Sequence, residues 1–153
     1  MTMELTDPLL SQLQQTWYQT IPLSQFMAVE PLSFDGEQFL VTAPLAPNIN
    51  LHQTMFAGSI YTLMTLTGWG MVWLQQHKQG VQGDIVLADA QVRYLAPVEE
   101  QPTACVSWGD TDLSSLERGR RVKIPLTVEL YCGETLCATF VAKYVSLPLK
   151  VAT

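Results

Sequence analysis

The chain has 153 residues, a formal net charge of -6, 48% apolar residues and only 14% charged residues. That length suits one domain with a substantial core, the acidic balance excludes a general nucleic-acid binder, and the low charge points to surface buried in an oligomer. The first residues lack a basic start and an apolar core, so no secretion signal is read; Cys105, Cys132 and Cys137 lack CxxC spacing, which fits reduced thiols in a cytoplasmic protein.

Thr6-Asp7-Pro8 is a helix start with proline in the first turn. Leu9, Leu10, Leu13 and Trp17 then share one helical face. Residues 27–34 and 37–45 read as two strands of a hairpin, because Asp35-Gly36 between them suits a tight turn with positive φ. Pro44 and Pro47 end the second strand. A loop through Asn48 and Asn50 leads to a helix over roughly residues 55–78, closed by Gly80 and Gly83. Residues 38–77 contain no Asp, Glu, Lys or Arg. Ser59, Thr62, Thr65, Thr67 and several glycines make this stretch too polar for a simple membrane span. It reads as a helix buried on nearly every side. Gly58, Gly68 and Gly70 cost it about 1 kcal/mol each against Ala, which close approach of a sheet or partner offsets.

The second half alternates with period two. Val86, Ala88, Ala90, Val92 and Tyr94 form one apolar face. Ala104, Val106 and Trp108 form a second. Val122, Ile124, Leu126, Val128 and Leu130 form a third, and Leu136, Ala138, Phe140, Ala142 and Tyr144 a fourth. Gly133-Glu134 makes the turn between the last two strands. The order is thus helix, hairpin, long apolar helix, then antiparallel strands. This predicts an α+β architecture in which a curved antiparallel sheet wraps a central helix. The open sheet edges are answered by a homodimer joined edge to edge, or by a dimer of dimers.

The run Thr54-Met55-Phe56-Ala57-Gly58-Ser59-Ile60-Tyr61-Thr62-Leu63, the strand end Arg93-Tyr94-Leu95-Ala96-Pro97 and the element order resemble a family of bacterial hotdog proteins labelled as thioesterases. The resemblance covers residues 5–148 of a chain read as one hotdog domain over 1–153. The family's domain also occurs fused behind an acetyltransferase domain, and the family is associated with malonyl-acyl-carrier-protein decarboxylation. The resemblance therefore implies a thioester of acyl carrier protein or coenzyme A as substrate, with no cofactor. Hotdog thioesterases of the broad His-Gly-Gly type place an Asn six residues before that His and an acid nine residues after it. On this chain Asn50 matches the Asn, Phe56-Ala57-Gly58 replaces His-Gly-Gly, and the acid position falls on Thr65.

The missing acid matters chemically. A thioester hydrolase needs a group that activates water, which Thr65 alone is not. Decarboxylation of a malonyl thioester needs hydrogen-bond donors on the carbonyl oxygen where enolate charge develops, and no base for bond breaking. Asn50 is the candidate catalytic donor, joined by backbone N–H groups near Ala57 or Gly58 and by the helix dipole. Its alternative reading is a loop or cap residue. His52 is read as a loop hydrogen-bonder or a substrate contact, Phe56 as a lining residue, and Thr65 as lining the site. The hydroxyls of Thr62, Thr65 and Thr67 are expected to bond back to helix carbonyls. His77 is a favourable cation at the helix end. Asp89 reads as part of a solvated strand face or as a group approaching the pocket, where it or His52 would activate water with Asn50 in a thioesterase.

Arg118, Arg120, Arg121 and Lys123 supply half of the eight Lys and Arg residues. They read either as a solvated turn or as a dock for the phosphate of an acidic carrier protein or coenzyme A. Two distant histidines and scattered acids give no metal-ligand spacing. Decarboxylation of malonyl-acyl-carrier protein to prime fatty-acid synthesis is the leading expectation. An acyl thioesterase and a non-catalytic acyl-thioester binding module are the alternatives.

Overall fold

A computed structural model describes residues 7–150; Thr6, part of the expected helix start, lies outside the described residues. Helix α1 (Pro8–Thr20) starts as the sequence dictates. The Asp7 carboxylate caps it by accepting from the Leu9 N–H, and Pro8 occupies its first turn, where no N–H is missed. Leu10, Leu13 and Trp17 are buried. A short helix α2 (Pro22–Phe26) follows, which the sequence reading did not include. The first strand consequently begins later than residue 27: Met27 follows α2, Ala28 turns the chain at φ +58°, and β1 spans Glu30–Phe34. The hairpin to β2 (Gln38–Thr42) turns at Gly36, φ +98°, and the Asp35 carboxylate accepts from the N–H groups of Glu37 and Gln38.

Helix α3 (Ala57–Gln79) is the axis of the structure, and Gly80 closes it in the left-handed conformation at φ +69°. Gly83 does not shape the helix end; it lies against Ser146 and Leu147 where a side chain has no room. Strands β3 (Asp84–Tyr94), β4 (Thr103–Ser107), β5 (Val122–Cys132) and β6 (Thr135–Leu147) complete a six-stranded sheet. Its order is β1-β2-β4-β5-β6-β3, antiparallel throughout. Helix α3 contacts five of these strands, β2 to β6, and α1 closes over the β1 side. This is the hotdog arrangement expected from the sequence.

Two glycines let the wrapping happen. A side chain at Gly68 would run into the Tyr144 ring, whose hydroxyl donates to the Thr65 carbonyl at 2.7 Å. A Cβ at Gly70 would stand 2.8 Å from Trp17 Cζ2 and 2.9 Å from Phe39 Cε2. These contacts fix α3 to β6 on one side and to α1 and β2 on the other.

The expected alternation holds in β5, where Val122, Ile124, Leu126, Val128 and Leu130 are all buried. It fails in β3. Leu87 pairs with Tyr144 and Asp89 with Lys143, so Ala88 is an extra, unpaired residue. This bulge reverses the phase of the strand. Ile85 and Leu87, then Ala90 and Val92, pack towards the core, whereas Val86, Ala88 and Tyr94 are exposed. β3 is also a free edge of the sheet.

Filling the Gly70 contact tests the packing. Gly70→Ala gains about 1 kcal/mol of helix propensity but overpacks the α1–α3 seam at a cost of roughly 1–3 kcal/mol. The expected outcome is net destabilisation, read as a lower urea midpoint at unchanged m-value.

Candidate functional site at the start of helix α3

The loop before α3 is held by main-chain bonds at both ends. Ile49 bridges Met55, the Met55 N–H donates to the Val98 carbonyl (2.9 Å), and the Phe56 N–H donates to the Asn48 carbonyl (2.7 Å). Between these anchors residues 50–54 make a tight excursion, with Asn50 N–H to Thr54 O at 2.8 Å and Gln53 N–H to Asn50 O at 3.1 Å. Gln53 sits at φ +64°, a left-handed conformation that costs a non-glycine residue on the order of 1 kcal/mol.

The Asn50 side chain organises this excursion. Its Oδ1 accepts from the His52 N–H (2.8 Å) and the Thr54 N–H (3.2 Å), and its Nδ2 lies 3.0 Å from Thr54 Oγ1. Asn50 is half-buried and His52 is exposed. The loop thus ties the Asn50 side chain into its own turn, two residues beyond the Asn48–Phe56 anchor of the helix start.

Helix α3 opens without a cap. Phe56 is the N-cap residue, at φ −59° and ψ 136°, and no side chain accepts from the first turn. Among the described residues the N–H groups of Ala57, Gly58 and Ser59 have no protein acceptor; the first helical bond is Ile60 N–H to Phe56 O at 3.0 Å. Three amide donors and the positive end of a 23-residue helix therefore face outward together. The Phe56 ring lies over Gly58 so closely that a Cβ there has no room. From the far side, Tyr94 at the end of β3 donates its hydroxyl to the Ala57 carbonyl at 3.0 Å. Partial burial pushes the Tyr94 phenol above its usual range. Tyr94 was legible in the sequence as part of the Arg93–Pro97 strand end, but not as a clamp on the helix.

Asn50, His52, Phe56, Ala57 and Gly58 thus belong to one loop–helix junction. Thr65 lies two turns further along, half-buried, with its hydroxyl donated to the Tyr61 carbonyl at 2.8 Å. Thr62 and Thr67 bond back in the same way, to Gly58 and Leu63. His77 is at the other end of α3, stacked on Trp73 at 3.9 Å with Nδ1 2.9 Å from the Trp73 carbonyl. Asp89 is exposed on β3, beside the bulge.

The basic cluster stands apart from the junction. Arg118 ends a short 3-10 turn, Ser114–Arg118, and Gly119 at φ +74° leads to Arg120, Arg121 and β5. Arg118, Arg120, Arg121 and Lys123 are all exposed. Hydrogen bonds from the Ser114 N–H and hydroxyl hold the Asp112 carboxyl below the usual carboxylate range, with Arg118 nearby helping. Val122 pairs with Ser146, and Ser146 with Ile85, so the cluster lies at the sheet end that starts β3 and closes α3. Tyr94 is level with Leu130 through Ala138, so the eight residues from Val122 to Leu130, roughly 26 Å at strand rise, separate that end from the level of Tyr94.

Among the described residues no group of three His, Cys, Asp or Glu side chains is placed to hold a metal ion, and no helix is long and apolar enough to cross a membrane. The site's resources are hydrogen-bond donors, a helix dipole and apolar walls.

Residues 10–148 match the family described as "Putative thioesterase (yiiD_Cterm)". A Shewanella oneidensis protein with the same thioesterase description is 62% identical, superposes with a TM-score of 0.91, and aligns over 94% of this chain and 100% of its own. A Chlorobaculum tepidum protein of unknown function is 31% identical, with a TM-score of 0.83 over 94% of this chain and 96% of its own. A Haemophilus influenzae thioesterase shares the fold at 15% identity, with a TM-score of 0.73 over 93% and 92% of the two chains. By the span of the family match and by its likeness to the Shewanella protein, this chain belongs to that thioesterase family of the hotdog fold.

Proposed function

We propose that the protein is a cytoplasmic enzyme of acyl thioesters whose preferred reaction is decarboxylation of malonyl-acyl-carrier protein to acetyl-acyl-carrier protein. One observation carries the reading: the uncapped first turn of α3 offers donors, while Thr65, standing at the acid position, has its hydroxyl committed to a helix carbonyl. The thioester carbonyl oxygen accepts from the Ala57 or Gly58 N–H and from the Asn50 amide. The bond between the α-carbon and the carboxylate breaks, and its electron pair forms the enolate, with charge on that oxygen. Carbon dioxide leaves, and the α-carbon takes a proton from solvent. Uncharged surroundings solvate the substrate carboxylate poorly and favour its loss. His52, exposed at the same loop, contacts the substrate.

The second reading is hydrolysis of an acyl thioester, favoured by the description of the family and of the Shewanella relative. It needs a water-activating group from His52 or from a second copy.

The active species is a homodimer, in which two free β3 edges pair antiparallel. That pairing answers a geometric problem. Within one chain the basic cluster is a sheet length away from the junction, but an antiparallel edge pair sets each copy's cluster at the other's α3 start. The partner's β5 then lies three strand spacings, roughly 14 Å, from this chain's β3. Its Arg and Lys side chains meet the phosphate of a phosphopantetheine arm and steer an acidic carrier protein.

Mass spectrometry of malonyl-acyl-carrier protein after incubation tests the reaction. The acetyl form is the expected product; free carrier thiol with released malonate would move the assignment to hydrolysis. Two variants separate the roles of Asn50. Asn50→Asp keeps the acceptor that holds His52 and Thr54 but removes the Nδ2 donor, so kcat falls about 10²-fold or more with little change in thermal midpoint. Asn50→Ala lowers both. An Asn50→Asp enzyme of full rate would remove Asn50 from the mechanism. The double variant Arg120→Glu, Arg121→Glu should raise KM for the carrier-protein substrate about tenfold at low salt, and the difference should shrink as salt rises. An unchanged KM would leave the cluster as a solvated turn.

A further inference from the structure

The hairpin that joins β5 to β6 carries two cysteines. Cys132 ends β5 opposite Thr135. The register slips between the pairs Leu130–Ala138 and Tyr131–Leu136, so Cys137 is an extra, unpaired residue in a bulge. Its thiol turns back towards the hairpin turn and lies 3.6 Å from the Thr135 carbonyl. The two thiols are neighbours: burial pushes the Cys137 thiol up, and the Cys132 thiol and the Glu99 carboxylate push it further. Both line one open hollow of about 350 Å³, together with Pro97, Glu99 and Glu100. No Lys or Arg lines it. Cys132 is half-buried, whereas Cys137 is buried.

The pair also holds a loop. The Cys132 thiol donates to the Glu100 carbonyl at 3.4 Å, and the Cys137 thiol shares its proton between the Pro97 carbonyl, at 3.7 Å, and that of Thr135. The main-chain carbonyl of Cys137 accepts from the N–H groups of Leu95 (2.8 Å) and Ala96 (3.1 Å). Between Pro97 and Glu100 lies Val98, fully buried, whose carbonyl accepts from the Met55 N–H at 2.9 Å. That bond is one of the anchors of the loop before α3. The thiols are therefore linked to the helix start through a single short segment, residues 95–100.

We propose that Cys132 and Cys137 are a redox modification site: a small disulfide oxidises them to an intramolecular disulfide, which loosens residues 95–100 and with them the Met55 anchor. The Cys132 thiolate, on the more exposed sulfur, attacks one sulfur of the oxidant RSSR. A mixed disulfide forms and RS⁻ leaves. Cys137 gives its proton to solvent and attacks the Cys132 sulfur, forming the Cys132–Cys137 bond and expelling a second RS⁻. The pair loses two electrons and two protons, and RSSR becomes two RSH. The acidic edge of the hollow draws a cationic disulfide. After oxidation neither sulfur has a proton to donate, so the Pro97 and Glu100 carbonyls lose their thiol partners. In a reducing compartment such a pair rests as thiols and oxidises transiently. The site stands apart from whichever reaction occurs at the junction.

Cystamine, a dicationic disulfide, tests it on the full chain. Cys105→Ser first removes the third thiol, which lies on β4 opposite Glu129. After cystamine treatment and alkylation with N-ethylmaleimide, the intact mass should fall by two hydrogen atoms, with no cysteamine retained and no maleimide bound. Adding Cys137→Ser should stop the reaction with one cysteamine on Cys132. In the oxidised protein the Met55 amide should exchange with deuterium about fivefold faster or more, and dithiothreitol should restore the slow rate. Two bound maleimides, a cysteamine adduct that persists while both cysteines are present, or disulfide-linked dimers would overturn the site. An intramolecular disulfide with unchanged Met55 exchange would uphold the pair and overturn its link to the helix start. Both readouts are independent of thioester turnover, so an inactive Asn50 variant should oxidise in the same way.

Discussion

Everything in this structure depends on how closely the sheet can approach α3. The helix is buried along most of its 23 residues, with contacts to five strands and to α1. Gly68 admits the Tyr144 ring and Gly70 admits Trp17 and Phe39. Each glycine lowers helix propensity, but each removes a side chain that would hold helix and sheet apart. Dispersion and burial over the whole seam outweigh that local cost. A charge within such a helix would be desolvated without a partner, which fits the absence of any from residues 57–77.

The same constraint shapes the chemistry. A helix surrounded by sheet is reachable mainly at its ends, and its first turn is where unpaired amides lie. Here the preceding residue is Phe56, whose ring covers Gly58 and caps nothing. Tyr94 holds the turn through a hydroxyl on the Ala57 carbonyl, and the preceding loop is held by the Asn50 amide. An uncapped first turn can stabilise negative charge on an acceptor; the proposed decarboxylation draws on that alone, whereas hydrolysis also asks for a base.

The elements that were legible in the sequence are those set by local chemistry. Asp35-Gly36 and Gly133-Glu134 marked their hairpins because tight turns demand particular residues. β5 was readable because its alternation is unbroken from Val122 to Leu130. The phase of β3 was not readable, because the bulge at Ala88 is decided by pairing with β6 and leaves no trace in a strand apolar on both sides. Helix α2 has five residues, too few for a helical period to show in the sequence. Asn50 was singled out by its spacing to the helix start; its place in a tight turn, with Oδ1 on the His52 and Thr54 N–H groups, follows from the same short loop. The distance from Arg118–Lys123 to that junction was invisible, since order along the chain does not tell which end of a sheet a turn occupies.

The uncapped start of α3 also sets a limit on how stable this protein can be. An Asp, Ser or Thr at position 56 would cap the helix and add about 1 kcal/mol. Its oxygen would then occupy the amides that the proposed thioester needs. The residue that best completes the helix and the residue that leaves it open are different, so optimising this chain for heat resistance alone would drift towards closing the site proposed there.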